Sequence, residues 1–228
     1  MGIHAGVAVA TAILAYAVYY GIVVSPALDG IRGTIVGVVV KRLAGVILLG
    51  FVPAGIAVTA LPFPLAELGL TPLIPPRTWL WVGGASVVIV IGCLLTAHKP
   101  ENYDVYPEMR TPRWGFGAVA ANSISSALYM FAYEFLFRGF VLFACLAAMT
   151  PALAITVNVV LYVLAHVPKG RREALGSIPL GVVVCLASID TGAIWAAFLI
   201  HSIMSQLNDY LAVRANPGMR FAFGTSAP

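Results

Sequence analysis

The stretch Tyr133-Glu134-Phe135-Leu136-Phe137-Arg138-Gly139 lies inside an otherwise apolar run from about Trp114 to Thr150. Glu134 and Arg138 are four residues apart, so on a helix they share one face and can touch. A charged side chain at the bilayer midplane costs about 2.5–3.5 kcal/mol on insertion scales, and such residues persist chiefly where they face a protein interior or a wet cavity. The stretch therefore decides two things at once. The run is a membrane helix, and that helix has an interior to face.

Composition extends this to the whole chain. Its 228 residues are 61% hydrophobic and 10% charged, with a mean hydropathy of +0.96. Soluble domains carry about 25% charged residues, so the deficit implies an all-α polytopic transmembrane bundle, one membrane domain over 1–228. The net charge of +4 is small and dispersed. With no lysine–arginine stripe interleaved with aromatics, it excludes a nucleic-acid partner. Cys93, Cys145 and Cys185 sit in apolar runs without CxxC spacing and read as buried small hydrophobes. Arginine outnumbers lysine, and alanine, glycine and valine abound, a composition that suggests a bacterial source.

About seven spans are expected. The first, Ile3–Val24, has 22 residues, which at about 1.5 Å per residue reach about 33 Å, enough to cross a bilayer core. It reads as a true span rather than a signal peptide, because no lysine or arginine precedes Asp29. A second span is expected over Leu43–Leu61. The proline-rich segment Pro62–Thr78 then forms a loop lying at the interface. Further spans follow at Trp79–Ala97, Trp114–Met149, Pro151–Val167, Ser177–Ile189 and Ala193–Val213, and the tail from Ala215 reads as polar and frayed. Loops alternate between the two faces. One face receives Arg32, Lys41, Arg42, Lys99, Arg110, Arg113, Lys169, Arg171, Arg172, Arg214 and Arg220, and the other only Arg77. That asymmetry predicts an outside N-terminus and a cytoplasmic C-terminus in the cytoplasmic (inner) membrane.

Three of the spans carry polar stripes. Asn122, Ser126, Tyr129, Tyr133 and Arg138 step by four, three, four and five residues, with Glu134 beside them. Asn158, Tyr162 and His166 recur every four, and His201, Ser205 and Asn208 follow at i, i+4 and i+7. Singly, Ser126 or Asn158 reads as helix–helix glue. Glu134, Arg138, His166 and His201 together read as a functional site around a wet interior.

Several chemistries use one glutamate and two histidines. Glu134 can serve as general base on a water, with a histidine relaying the proton or donating to an oxyanion. Two histidines and a glutamate also match a catalytic zinc set. No HExxH occurs, so zinc stays open on composition and unsupported by spacing. A serine protease lacks its G-x-S-x-G elbow. An aspartyl protease lacks its pair, since Asp104, Asp190 and Asp209 fall in or near the expected loops. A small transporter or proton-coupled channel would also use intramembrane Glu and His, but no paired Gly/Pro breaks occur in two halves.

The ordered set Glu134-x3-Arg138-Gly139, Tyr162-x3-His166 and His201 resembles the CPBP (Abi) family of intramembrane proteases. That family includes CAAX prenyl endopeptidases and bacteriocin self-immunity proteins. The likeness covers about 107–213. It implies a glutamate-activated water acting on a membrane-embedded or prenylated peptide, with no cofactor or metal required. The family pattern has two adjacent glutamates. Glu134 matches the second, and Tyr133 stands at the first, whose carboxylate the family uses with the histidine matched by His166. His201 matches the oxyanion histidine, and the asparagine four residues later is Ser205 here, with Asn208 one turn on. The resemblance thus implies Glu134 as base, His166 as proton partner and Arg138 as positioning charge. His201 with Ser205 or Asn208 would bind the oxyanion, and Tyr133 would contact substrate. The rival is a non-catalytic immunity or scaffold protein with the same cavity, which Tyr133 favours. A reporter joined after Ala215 is expected on the cytoplasmic side, and a periplasmic signal there would refute the seven-span count.

Overall fold

The computed structural model describes residues 2–61 and 63–223. Among them run seven long helices: α1 (Ile3–Val24), α2 (Ile35–Ala60), α3 (Thr78–Thr96), then, after a short α4 (Pro100–Val105), α5 (Phe116–Leu146), α6 (Pro151–His166), α7 (Arg171–Thr191) and α8 (Trp195–Ala215). All but α8 are long and apolar enough to cross a membrane by length and composition. Helix α8 has the length, but its polar stripe from His201 to Asp209 lowers its hydropathy. The expected all-α bundle of about seven spans is what the chain forms.

Helix α5 occupies the centre of the bundle, with 78% of its most apolar window buried against 11–39% for the other five apolar helices. It is not a uniform α-helix. From Phe135 to Val141 it widens into a π segment, with the Leu142 N–H bonded to the Phe137 carbonyl five residues back. The odd step of five from Tyr133 to Arg138 ends in this segment, where i→i+5 bonding lines up residues five apart. Helix α2 widens similarly at Val46–Phe51. There the cause is local: Pro53 follows, and its ring and missing N–H disrupt regular i→i−4 bonding in the turn before it.

Four sequence expectations change. The second span starts at Ile35, not Leu43, because the Thr34 hydroxyl caps it by accepting from the Gly37 N–H at 3.1 Å. Lys41 and Arg42 therefore lie within the helix. Arg42 is buried and donates to Glu108 (3.0 Å), to Ser125 (3.0 Å) and to the side chain of Asn122 (2.9 Å), with Asp209 3.6 Å away. The sixth span starts at Arg171, just after Gly170 turns the chain at a φ of 101°. Asp209 is not near a loop but buried within α8, where Arg42 and the Glu108 N–H compensate it. Finally, the chain beyond α8 is not frayed over its described part. Arg220–Phe221 (β2) pairs in parallel with Arg113–Trp114 (β1), while the last five residues fall outside the described set.

The loop after α2 also dips deeper than an interfacial loop. Leu68 is fully buried, and the Gly69 carbonyl accepts from the Ile194 N–H at 3.1 Å. A Cβ on Gly139 would lie 2.8 Å from the Leu68 carbonyl oxygen, so only glycine lets this loop reach α5. Gly139→Val is expected to cost about 1–3 kcal/mol through this overpacking, read as a lower Tm in detergent. Gly117→Ala, where nothing lies within 4 Å of the new Cβ, should leave Tm unchanged or slightly raised.

Candidate functional site

The site forms where α5, α6 and α8 face one another. Tyr133, Glu134 and Arg138 come from α5 on either side of the start of its π segment. Tyr162 and His166 come from the last two turns of α6, and His201 from the second turn of α8. Glu134 and Arg138 have no exposed surface. Arg138 Nη1 stands 3.3 Å from Glu134 Oε2, at ion-pair distance but outside hydrogen-bond geometry. The other carboxylate oxygen, Oε1, is 2.5 Å from His201 Nδ1. So Glu134 is held from both sides, by a guanidinium and an imidazole.

Arg138 finds its second partner in an aromatic face. Its Cζ lies 4.0 Å from the centroid of the Tyr162 ring, a cation–π contact worth about 2 kcal/mol or more when desolvated. Sequence reading took Tyr162 only as part of the His166 motif. Nothing in the sequence signalled the stacking, because it depends on how α5 and α6 approach. Gly181 of α7 makes the approach possible: a Cβ there would lie 3.1 Å from the Tyr162 ring and 3.6 Å from Arg138 Nη2. Asn158, expected as glue, donates from Nδ2 to the Phe137 carbonyl at 2.5 Å, tying α6 to the π segment.

The two histidines have different orienters. His166 Nδ1 lies 2.8 Å from the Tyr162 carbonyl, a group that only accepts, so Nδ1 carries the proton and Nε2 is left as an acceptor. His201 is oriented instead by the Glu134 carboxylate. Tyr133 is near both, its ring centroid 6.2 Å from that of His166 and 5.7 Å from that of His201. Glu134 thus meets His201 and not His166, and Tyr133 takes the place facing both imidazoles.

The remaining candidates divide. Ser205 Oγ is 3.4 Å from Ser126 Oγ, which places it on the α5–α8 contact. Asn208 lines a cavity of about 340 Å³ together with Tyr162 and His166. Glu134, Arg138, Tyr133 and His201 are not part of that lining. Among the described residues, no three His, Cys, Asp or Glu side chains gather as a metal set. In this geometry the Glu134, His166 and His201 donors therefore do not fit a zinc ion.

Residues 115–207 match the family model described as type II CAAX prenyl endopeptidase Rce1-like. That match runs from the start of α5 into α8 and includes the candidate site residues other than Asn208. Comparison with curated proteins and with solved structures gives no significant match.

Arg138→Met leaves the Glu134 carboxylate buried without its guanidinium and is expected to cost about 3–5 kcal/mol. Adding Glu134→Gln should recover a large part of that loss. Unfolding midpoints of the two single variants and the double variant measure this coupling, and simple additivity would mean the two residues do not act as a pair.

Proposed function

We propose that an Rce1-like core makes this chain an intramembrane peptidase, with His166 taking the proton of the attacking water. The observation that carries the proposal is the pair of imidazoles near Tyr133, each held by a different partner. His166, with Nδ1–H committed to the Tyr162 carbonyl, offers a neutral Nε2 as base at the cavity wall. His201, with Nδ1 on the Glu134 carboxylate, is oriented as carboxylate–imidazole pairs are in hydrolases. Its other nitrogen donates to the oxyanion, and the Tyr133 hydroxyl is a second donor.

The steps follow from these roles. His166 Nε2 removes a proton from water as the water oxygen bonds to the substrate carbonyl carbon. The carbonyl oxygen takes the displaced electron pair and is stabilised by His201 and Tyr133. His166 then returns the proton to the leaving amine as the C–N bond breaks. Glu134 becomes a positioning residue rather than the base expected from sequence, since both of its oxygens already face partners, and Arg138 supplies its compensating charge. Asn208 reaches the substrate from the cavity side. The substrate class is a membrane-embedded or prenylated peptide, cleaved in the inner membrane by a chain whose C-terminus is cytoplasmic.

A second reading rests on Tyr133 alone. A phenol stands against His166 where the family pattern has a carboxylate, which suits a cavity that binds peptides without cutting them. Purified chain incubated with prenylated and with amphipathic peptides separates the two, products being identified by mass. The peptidase reading expects His166→Ala to lower cleavage about 10²–10⁴-fold, the usual worth of a general base. Glu134→Gln should lower kcat with little change in KM. Bound but uncleaved peptide with the wild type would overturn the peptidase and support the binding protein.

A further inference from the structure

One hydrogen bond reaches the site from a helix that the mechanism leaves unused. Tyr16 of α1 is half-buried, and its hydroxyl donates to the Ala165 carbonyl at 2.6 Å. Helix α1 lies outside the matched residues 115–207 and supplies none of the candidate site residues. Yet Ala165 immediately precedes His166. The carbonyl that Tyr16 holds belongs to the peptide bond leading into His166.

Two local facts explain why that carbonyl takes a partner from outside α6. Ala165 lies in the last turn of α6, where carbonyls run out of intrahelical donors. The 3₁₀ turn that follows would supply a donor three residues on, but that residue is Pro168, which has no N–H. Water is no substitute here. Tyr16 and Ala165 line an apolar slot of about 260 Å³ between α1 and α6, together with Ile13, Phe137 and Leu164. Ile13 and Leu164 are exposed on the outside of the bundle, in helices long and apolar enough to cross a membrane. The slot therefore opens toward hydrocarbon, where a hydroxyl and a carbonyl satisfy each other or go unpaired.

This turn of α6 presents two faces to two different spaces. Ala165 lines the slot, and His166 lines the cavity. His166 keeps Nδ1 on the Tyr162 carbonyl, one turn back in the same helix. Its ring thus takes its orientation from the backbone of that helix end, and whatever fixes that backbone also aims Nε2. The slot abuts the site on its other wall as well, since the rings of Phe137 and Tyr133 have centroids 4.8 Å apart.

We propose that Tyr16 is a positioning residue for the reaction, its hydroxyl holding the end of α6 so that His166 Nε2 faces the attacking water. The inference rests on the peptidase reading, but the hold on His166 can be measured on the imidazole without any cleavage. It makes α1 part of the working enzyme, although α1 lies outside the matched segment.

The test uses the full chain in detergent with isotopically labelled histidine, and His166→Ala identifies the His166 nitrogen resonances. Tyr16→Phe removes the hydroxyl and keeps the ring that packs edge-on against Tyr19, with centroids 5.9 Å apart. Tyr20→Phe removes a second hydroxyl from the same slot and serves as the control. Tyr16→Phe is expected to lower kcat about ten- to hundredfold with KM nearly unchanged, the usual result of displacing a catalytic group by a fraction of its bond length to the substrate. It should also shift the His166 resonances away from a pure Nδ1–H tautomer, and Tyr20→Phe should do neither. A lower Tm for Tyr16→Phe with kcat and the His166 resonances unchanged would show a tie between helices and overturn the proposal. A fall in kcat with unmoved His166 resonances overturns it too, because the effect would then not run through that imidazole. If the wild type cleaves nothing, the peptidase reading fails by itself. Shifted resonances in Tyr16→Phe would still uphold its grip on His166, and unshifted ones would remove it.

Discussion

The Glu134–Arg138 pair sets the terms for the rest of the bundle. Both side chains are wholly buried, and desolvating two charges costs several kcal/mol per ion even after relaxation. The pair is tolerable only if other groups share the compensation. His201 takes one carboxylate oxygen, and the face of Tyr162 takes the guanidinium. Those two contacts require α5, α6 and α8 to meet within a few ångströms of one point. Two glycines, Gly139 and Gly181, permit the approach by leaving room for the Leu68 carbonyl and for the Tyr162 ring. Packing here follows from electrostatics rather than the reverse.

A second polar network lies toward the end of the bundle that carries α4. Arg42 joins α2 to α5 through Asn122 and Ser125, to the loop through Glu108, and to α8 through Asp209. The two networks pin α5 and α8 together at two depths, one at the site and one toward the end that carries α4. That division of labour suits a catalytic arrangement, where supporting groups must fix the reacting ones.

The span count, the first helix to its last residue, and the gathering of three polar stripes were legible because hydropathy and periodicity act locally. Helix starts were less so. Lys41, Arg42, Arg171 and Arg172 read as loop charges, yet α2 and α7 both run through them, one pair neutralised by acids far away in sequence and the other at an exposed helix start. Asp209 was misread for the same reason, since its partner Arg42 is 167 positions distant. Which of the candidate side chains touch one another was not legible. That Glu134 would meet His201 while Tyr133 neared His166 depends on how α5, α6 and α8 approach one another, which no spacing within one helix supplies. The Arg138–Tyr162 stack is purely tertiary.

The π segment of α5 begins between Glu134 and Arg138 and sets how the turns beyond it face Glu134, so the site is written partly in length. A helix with one residue fewer between Phe135 and Val141 would keep the same apolar character and could return to regular α bonding. Everything beyond the deletion would then be turned by about 100° relative to Glu134, one residue's share of a 3.6-residue turn. Homologues compared by residue identity alone could thus agree at every motif letter and still differ in geometry. For this architecture a gap of one position inside the helix is as informative as a changed side chain.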